Sequence, residues 1–295
     1  MHEPLFRRLA LIGIGHIGSS LARVSRERKT IAAELVAYDN APAVCARAAE
    51  LGLADIIAQD LASAVTGSDG VILCTPVGTF AAIAQAIAPH LAPGAILSDV
   101  GSTKQSVLRD VGPLVPAGVH FVPAHPLAGT EHSGPDSGFA TLFEGRWCLL
   151  TPPPGTDPEA VARIAGLWRL AGAMVEEMEP AHHDRVLAIV SHLPHLIAFT
   201  ICGTADDLAD ESRRQVLKFA ASGFRDFTRI AASDPTMWRD IFLNNREALL
   251  EMLARFLEDA QAMARAVRWG DGAYIEDKVN RGRKIRRSLI ELKQA

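Results

Sequence analysis

"RRLALIGIGHIGSSLARVSRER", residues 7–28, carries the reading that decides the fold. An apolar strand pattern runs into Gly13-x-Gly15-x-x-Gly18 and continues as helix-favouring sequence. A lone glycine triplet is weak evidence, but this one stands between a buried-strand run and a helical run, the context a dinucleotide-binding turn requires. Gly13 suits a tight turn. Gly15 lets the backbone approach a pyrophosphate, and Gly18 lets helix and strand pack closely. His16 and Ile17 open the helix at whose N-terminus the phosphates are expected.

The next apolar run, "ELVAYD" (34–39), ends at Asp39, 21 residues beyond Gly18. That is where a carboxylate meets the adenosine ribose hydroxyls. No arginine follows at once, so a 2′-phosphate would face an unneutralised carboxylate, and NAD is favoured over NADP. Further short apolar strands read at "DGVILCTPV" (69–77), "GAILSDVGS" (94–102), "VHFVPAHPLAG" (119–129) and "GRWCLLTP" (145–152), with helical segments before most of them. Alternation of this kind implies an α/β fold with a doubly wound, mainly parallel sheet of Rossmann type. Ligands of such sheets bind beyond the carboxyl ends of the strands. Gly15 to Gly18, Thr75 and Pro76, the segment Ser98 to Lys104 with Asp99 and Gly101, and His125 onward then converge on one rim.

After "AGAMVEEMEP" (171–180) the alternation stops, and helix-favouring sequence runs to the end. The expected division is 1–179 for the dinucleotide domain and 180–295 for an all-helical domain. Pro180 suits the first turn of a long helix through "AHHDRVLAIVSHLPHLIAFTICGTA" (181–205), and Pro194 is expected to kink it. Beside the kink, Ser191 and His195 lie four apart on one face, and His192 and His195 three apart. The histidines admit three readings: substrate contacts, satisfied core residues, or a metal pair. No carboxylate stands one turn away and no HExxH pattern occurs, so no metal is expected.

In "SGFRDFTRIAASDPTMWRDIFLNN" (222–245), Arg225 and Arg229 are one helical turn apart and Asp226 is three residues before Arg229. On a helix Asp226 is placed to orient an arginine as a carboxylate clamp; the alternative is a surface salt bridge. Trp238 reads equally as packing.

The chain of 295 residues, 48% apolar and 22% charged, has ample material for a core and suggests about two domains. A net charge of −4 makes no electrostatic case for nucleic acid, and the basic run "RGRKIRRS" (281–288) reads as a solvated helix face. The four cysteines are scattered without CxxC spacing, as in a reducing compartment. The N-terminal apolar run leads into the glycine turn, not a cleavage site, and no 18-residue apolar stretch is expected elsewhere. The expectation is a soluble, cytoplasmic protein with no membrane or nucleic-acid partner.

"HPLAGTEHSG" (125–134) is by itself a metal site, an acid–base loop or a polar turn. Its place at a strand end beside the nicotinamide end of a dinucleotide favours acid–base work. Histidine titrates near neutrality and suits removal of a proton from a hydroxyl whose carbon gives up hydride. Hydroxyacid dehydrogenases of two-domain build use a helical-domain lysine, but between Lys104 and Lys278 only Lys218 occurs, outside the dense motifs. Position therefore points to His125, and the cationic helical half to an anionic substrate.

Taken together, "GIGHIGSSLA", "DVGSTK", "HPLAGTEHSG", "SHLPH" and "FRDFTRIAASDPTMWRDIF" resemble the prephenate/arogenate dehydrogenases of tyrosine biosynthesis, over roughly residues 8–250. The resemblance implies oxidative decarboxylation of a cyclohexadienyl ring: hydride leaves C4 for NAD⁺, carboxylate leaves C1, and the ring becomes aromatic. It implies that His125 accepts the C4 hydroxyl proton and that Ser102 orients His125 and the hydroxyl. Arg229 would bind the ring carboxylate and His195 the side chain. Asp226 and Glu131 would form an ionic network about that arginine, with Thr130, Ser191, His192 and Trp238 lining the substrate site. It also implies a homodimer of intertwined helical domains, with Ser222 and Gly223 reaching a neighbour's site. Prephenate is the favoured substrate and arogenate a second one. Two rivals are a hydroxyacid or imine reductase of similar build, and an NAD-sensing dimer without catalysis.

Overall fold

In the computed structural model, residues 3–130, 132–208 and 210–292 are described. Strand β1 (Phe6–Ile12) leads through the glycine turn into α1 (His16–Glu27), followed by β2 (Ala32–Tyr38), α2 (Pro42–Glu50), β3 (Ile56–Ile57) and α3 (Leu61–Val65). Then come β4 (Gly70–Leu73), α4 (Phe80–Ile87), β5 (Ile96–Asp99), α5 (Gln105–Val111), β6 (His120–Val122), β7 (Ala124–Pro126), β8 (Trp147–Leu150), α6 (Pro158–Leu170) and β9 (Met174–Glu177). The helical part comprises α7 (Pro180–Leu187), α8 (Leu193–Asp206), α9 (Asp210–Phe219), α10 (Ser222–Thr228), α11 (Pro235–Asn244), α12 (Arg246–Trp269) and α13 (Gly272–Glu291).

Six strands pair in parallel in the order β3-β2-β1-β4-β5-β6, a doubly wound sheet whose order reverses between β1 and β4. The apolar runs are continuous because both faces are covered. On β1, Leu9 and Leu11 join one core with Leu21 and Val24 of α1 and Trp168 of α6. Ala10 and Ile12 point the other way, into a core with Phe80 and Ile87 of α4 and Val107 of α5.

Two expectations about strands need correction. The run 119–129 is not one strand: β6 stays in the parallel sheet, while β7 leaves it after Pro123 and pairs antiparallel with β8. Likewise β8 is no part of the doubly wound sheet; it centres a second, three-stranded sheet, β7-β8-β9. Proline has no N–H to donate to a ladder, so Pro123 marks the break.

Pro194 does distort its helix, in a particular way. Between α7 and α8 the chain makes a π-turn, Ala188–His192, and Pro194 enters α8 in its first turn. The wider turn absorbs the missing N–H and the ring's clash with the preceding turn. One further expectation is corrected: by length and composition alone the helical run Pro180–Asp206 is long and apolar enough to cross a membrane.

Compactness divides the chain into Met1–Arg246 and Glu247–Ala295. The second unit holds nearly all of α12 and all of α13, joined by an ion pair from Lys278 Nζ to Asp259 Oδ1 at 2.6 Å. Within it Leu257, Val267, Trp269, Ile285 and Ile290 are exposed in the single chain.

Candidate active site

The dinucleotide turn is built as its glycines require. Gly13 has φ +97°, and a Cβ there would lie 2.7–2.9 Å from Thr75 and the Cys74 carbonyl carbon. A Cβ on Gly18 would fall 2.0 Å from the Gly13 carbonyl oxygen, so helix and turn touch without side chains between them. At Gly15 nothing lies within 4 Å, leaving open space over the α1 N-terminus, which carries no side-chain cap. Uncapped N–H groups facing open space are the donor set a pyrophosphate needs. Asp39 closes the far side: its Oδ2 accepts the Ile14 N–H at 2.9 Å and its Oδ1 the Ala41 N–H at 3.0 Å. Thr75 and Pro76 follow β4, with Thr75 Oγ1 2.8 Å from Thr79 Oγ1.

The side chain of His16 turns elsewhere. Its Nδ1 lies 3.1 Å from Ser137 Oγ, on a loop that runs back across α1 from β7. Along that loop Phe139 N–H donates to Ser20 Oγ, Arg23 donates to the Pro135 carbonyl, and Arg47 holds Asp136 bidentately. Ile17 packs into the sheet core from its partly buried position.

Asp99, read from sequence as a cofactor contact, is corrected to an internal group. It is fully buried, accepts Lys104 Nζ at 2.6 Å and the Gly101 N–H at 2.7 Å, and receives the Ala124 N–H on its other oxygen. Lys104 also donates to the Ala124 carbonyl at 2.7 Å, so the pair ties the end of β5 to the start of β7. Burial pushes the Asp99 carboxyl up and the Lys104 ammonium down, while their contact opposes both shifts. Ser102, half-buried, sits between Gly101 and the buried Thr103 on the same loop.

His125 is the middle residue of β7, opposite Leu149 of β8, and is 7% exposed. Its Nδ1 is 2.9 Å from His183 Nε2, and His183 Nδ1 is 2.8 Å from Asp184 Oδ1. Asp184 also accepts the N–H of Lys104 at 2.8 Å and of Gln105 at 2.9 Å, capping α5 from outside. Burial first, then the neighbouring His183, Lys104 and His192, hold His125 well below the usual imidazole range. Asn245, just beyond α11, donates to the Asp184 carbonyl and to His192 Nδ1, each at 2.9 Å. His192 is fully buried, and burial lowers its pKa to about 4.

His195 extends the row outward. Its Nδ1 donates to the Ser191 carbonyl at 2.8 Å, and its ring stacks on Trp238 with centroids 3.7 Å apart, beside Phe199 and Phe242. Burial lowers its pKa, aided by the Arg229 cation. Position 125, 192, 195 and 229 therefore form one electrostatic neighbourhood. Trp238, 5% exposed, packs in this cluster.

Other expectations fare differently. Arg229 closes α10 with α-helical backbone, its N–H donating to the Arg225 carbonyl, so Asp226 lies one helical turn before it on the same helix end, and a 3₁₀ turn follows. Thr130 is exposed, as are Ser222 and Gly223, and Glu131 lies outside the described residues. Sequence reading missed His183, Asp184 and Asn245. The triplet His182-His183-Asp184, eight residues before Ser191, was a usable signal for the first two; Asn245 offered none. Among the described residues no three metal-ligating side chains gather as an ion site.

Comparison with known proteins adds the following. Residues 21–177 match the family model described as prephenate dehydrogenase, nucleotide-binding domain, and 179–279 the one described as prephenate dehydrogenase, dimerization domain. The chain is 40% identical to cyclohexadienyl dehydrogenase of Zymomonas mobilis over 97% of both chains. It is 33% identical to prephenate dehydrogenase of Bacillus subtilis, over 85% of this chain and 67% of that one. Among solved structures, prephenate dehydrogenase from A. aeolicus in complex with hydroxyphenyl propionate and NAD⁺ superimposes with a TM-score of 0.87 at 33% identity, covering 96% of this chain and 98% of that one. Arogenate dehydrogenase from Synechocystis gives 0.79 at 27% identity, covering 95% and 99%.

Proposed function

This chain belongs to the prephenate dehydrogenase family, and from that premise we propose how its residues divide the work and which ring substrate it prefers. The family reaction is an NAD-dependent oxidative decarboxylation in tyrosine biosynthesis. NAD, when bound along the α1 N-terminus with its adenosine ribose at Asp39, supplies the hydride acceptor.

The observation that carries the assignment of roles is His125: buried, unprotonated at neutral pH, and in one network with His183, Asp184, His192 and Asn245. Its free ring nitrogen, Nε2, takes the proton of the C4 hydroxyl, and Ser102 orients that hydroxyl. Arg229 binds the ring carboxylate and His195 receives the side chain, while His192, expected at the substrate, is fully buried and held by Asn245 behind it. Because loss of carboxylate makes the ring aromatic, the protein has mainly to position groups and remove one proton.

Prephenate is the preferred substrate and arogenate a second one. Neutral histidines beside the Arg229 cation suit a keto-acid side chain. The ammonium of arogenate needs a carboxylate acceptor, and Asp184, the carboxylate His192 senses, is already taken by Lys104, Gln105 and His183. The protein works as a cytoplasmic homodimer, with a division near 179/180 between dinucleotide and helical domains; Ser222 and Gly223, exposed in the single chain, reach the neighbouring site.

The test is to follow NADH absorbance with prephenate and NAD⁺, then with arogenate, then with NADP⁺. Turnover is expected to be fastest with the first pair, slower with arogenate and poor with NADP⁺. Faster turnover of arogenate would reverse the preference. No turnover of either ring by folded, NAD-binding protein would point to a reductase of similar build.

A further inference from the structure

We infer that His183 and Asp184 are positioning residues that hold His125 in the one ring tautomer able to accept a proton at Nε2. The inference rests on His125 being the base, and it follows from the direction of three hydrogen bonds. Asp184 accepts backbone N–H groups on both oxygens, from Lys104 on Oδ1 and Gln105 on Oδ2. Burial alone would raise its pKa, but the bonds from His183, Gln105 and Lys104 together keep it below the ordinary carboxylate value. An ionised carboxylate only accepts, so His183 donates from Nδ1.

With its proton there, neutral His183 has its lone pair on Nε2, and the 2.9 Å contact must be donated by His125 from Nδ1. One proton is all that a neutral imidazole carries. His125 Nε2 therefore holds a lone pair and points its acceptor away from the chain. Imidazole in water prefers the opposite tautomer, with the proton on Nε2. Left to itself His125 would mostly present a donor where the reaction needs an acceptor.

The same chain serves the charged state. As hydride leaves C4 with the C–H electron pair, the substrate O–H bond breaks, its electrons form the C4–O double bond, and the proton joins His125 Nε2. Burial first, then His183, the Lys104 ammonium and His192, disfavour the new imidazolium. Opposing them, its Nδ1–H already points into a chain that ends in the Asp184 carboxylate, and no side chain has to move. Asp99 balances Lys104 at 2.6 Å, which leaves the Asp184 charge for the histidines. His183 and Asp184 are fully buried, so water does not compete for these bonds.

The first measurement is nitrogen NMR of ring-labelled histidines in the full-length protein at neutral pH. One histidine, absent from His125→Asn, should show a protonated Nδ1 and an unprotonated Nε2; an Nε2–H tautomer at His125 overturns the inference outright. His183→Leu should shift His125 toward Nε2–H and lower kcat on the order of 10²-fold, with NAD affinity unchanged. His183→Gln, whose amide accepts from His125 and donates to Asp184, should recover much of that loss. A loss that Gln does not rescue counts against the inference, whether or not the Leu variant folds. Adding His183→Leu to His125→Asn should cost little more; full additivity of the two losses would refute the relay while leaving His125 as base. Intact turnover in His125→Asn would instead refute the base itself.

Discussion

At the scale of single residues, the chemistry depends on keeping His125 neutral in a buried place where a carboxylate chain meets its far nitrogen. His125→Asn is expected to lower kcat by roughly 10²–10⁴-fold, the range of a general base, while NAD binding measured by fluorescence titration stays intact. Arg229→Ala should act on binding, raising KM by about 10–100-fold, as befits the loss of a charge-assisted contact of about 1.5–3 kcal/mol. Steady-state kinetics separate the two: a mutation that lowers kcat at unchanged KM removes an interaction made only in the transition state. The pH dependence has a definite sign. Since burial, and after it His183, the Lys104 ammonium and His192, depress the His125 pKa from 6.5, the base stays unprotonated as pH falls through 6.5. The acid limb of kcat/KM should therefore lie below 6.5, and a limb at or above that value would show a solvated histidine instead.

At the scale of elements, two junctions hold the site to the dinucleotide fold. One is the buried Asp99–Lys104 pair, which fastens β7 to the end of β5 after Pro123 has taken the strand out of the main sheet. Lys104→Met strands a buried carboxylate, and a destabilisation of about 3–5 kcal/mol is expected in denaturant unfolding. The other is the loop from β7 back over α1. A Cβ at Gly138 would stand 2.2 Å from Ser19 Oγ and 2.8 Å from the Ser20 backbone nitrogen. The hydroxyl can rotate away; the helix backbone cannot. Gly138→Ala should cost about 1–3 kcal/mol as an overpacked contact. It should also weaken NAD binding, because the same loop holds His16 at the start of α1 through Ser137. Unchanged melting temperature and NAD affinity would show that the loop does not rest on α1 in solution.

At the scale of the whole molecule, several neutral histidines are gathered in one interior. His125, His183, His192 and His195 all have lowered pKa values, with burial as the largest cause of each. For a histidine whose folded pKa lies below its unfolded value, the unfolded chain binds the proton more readily. Its contribution to stability is present above 6.5 and is lost as pH falls toward the folded value. For His192 that window runs from 6.5 to about 4, worth on the order of 3 kcal/mol at 1.36 kcal/mol per unit. Thermal melts should decline across this window, and less steeply in His192→Gln. Equal slopes would mean that His192 is solvated or already charged.

What the sequence determined by itself follows from local chemistry. The glycine turn, the carboxylate after β2 and the two-sided apolar runs need no distant partner to be recognised, because each is a short-range demand: a positive φ at Gly13, contact with no side chain at Gly18, a strand buried on both faces. His125, His195 and Arg229 were legible as residue types in dense motifs. The tertiary structure alone decided which of the neighbouring polar groups serve them. Whether Asp99 faced a ligand or a buried lysine depended on Lys104 folding back over five residues onto it. Whether β7 and β8 joined the parallel sheet depended on the break at Pro123. Above all, the hydrogen-bond row from His125 to Asn245 joins β7, α7, the π-turn and the end of α11. No spacing along the chain encodes it, since its members lie up to 120 positions apart and meet only because a buried polar group must find a partner.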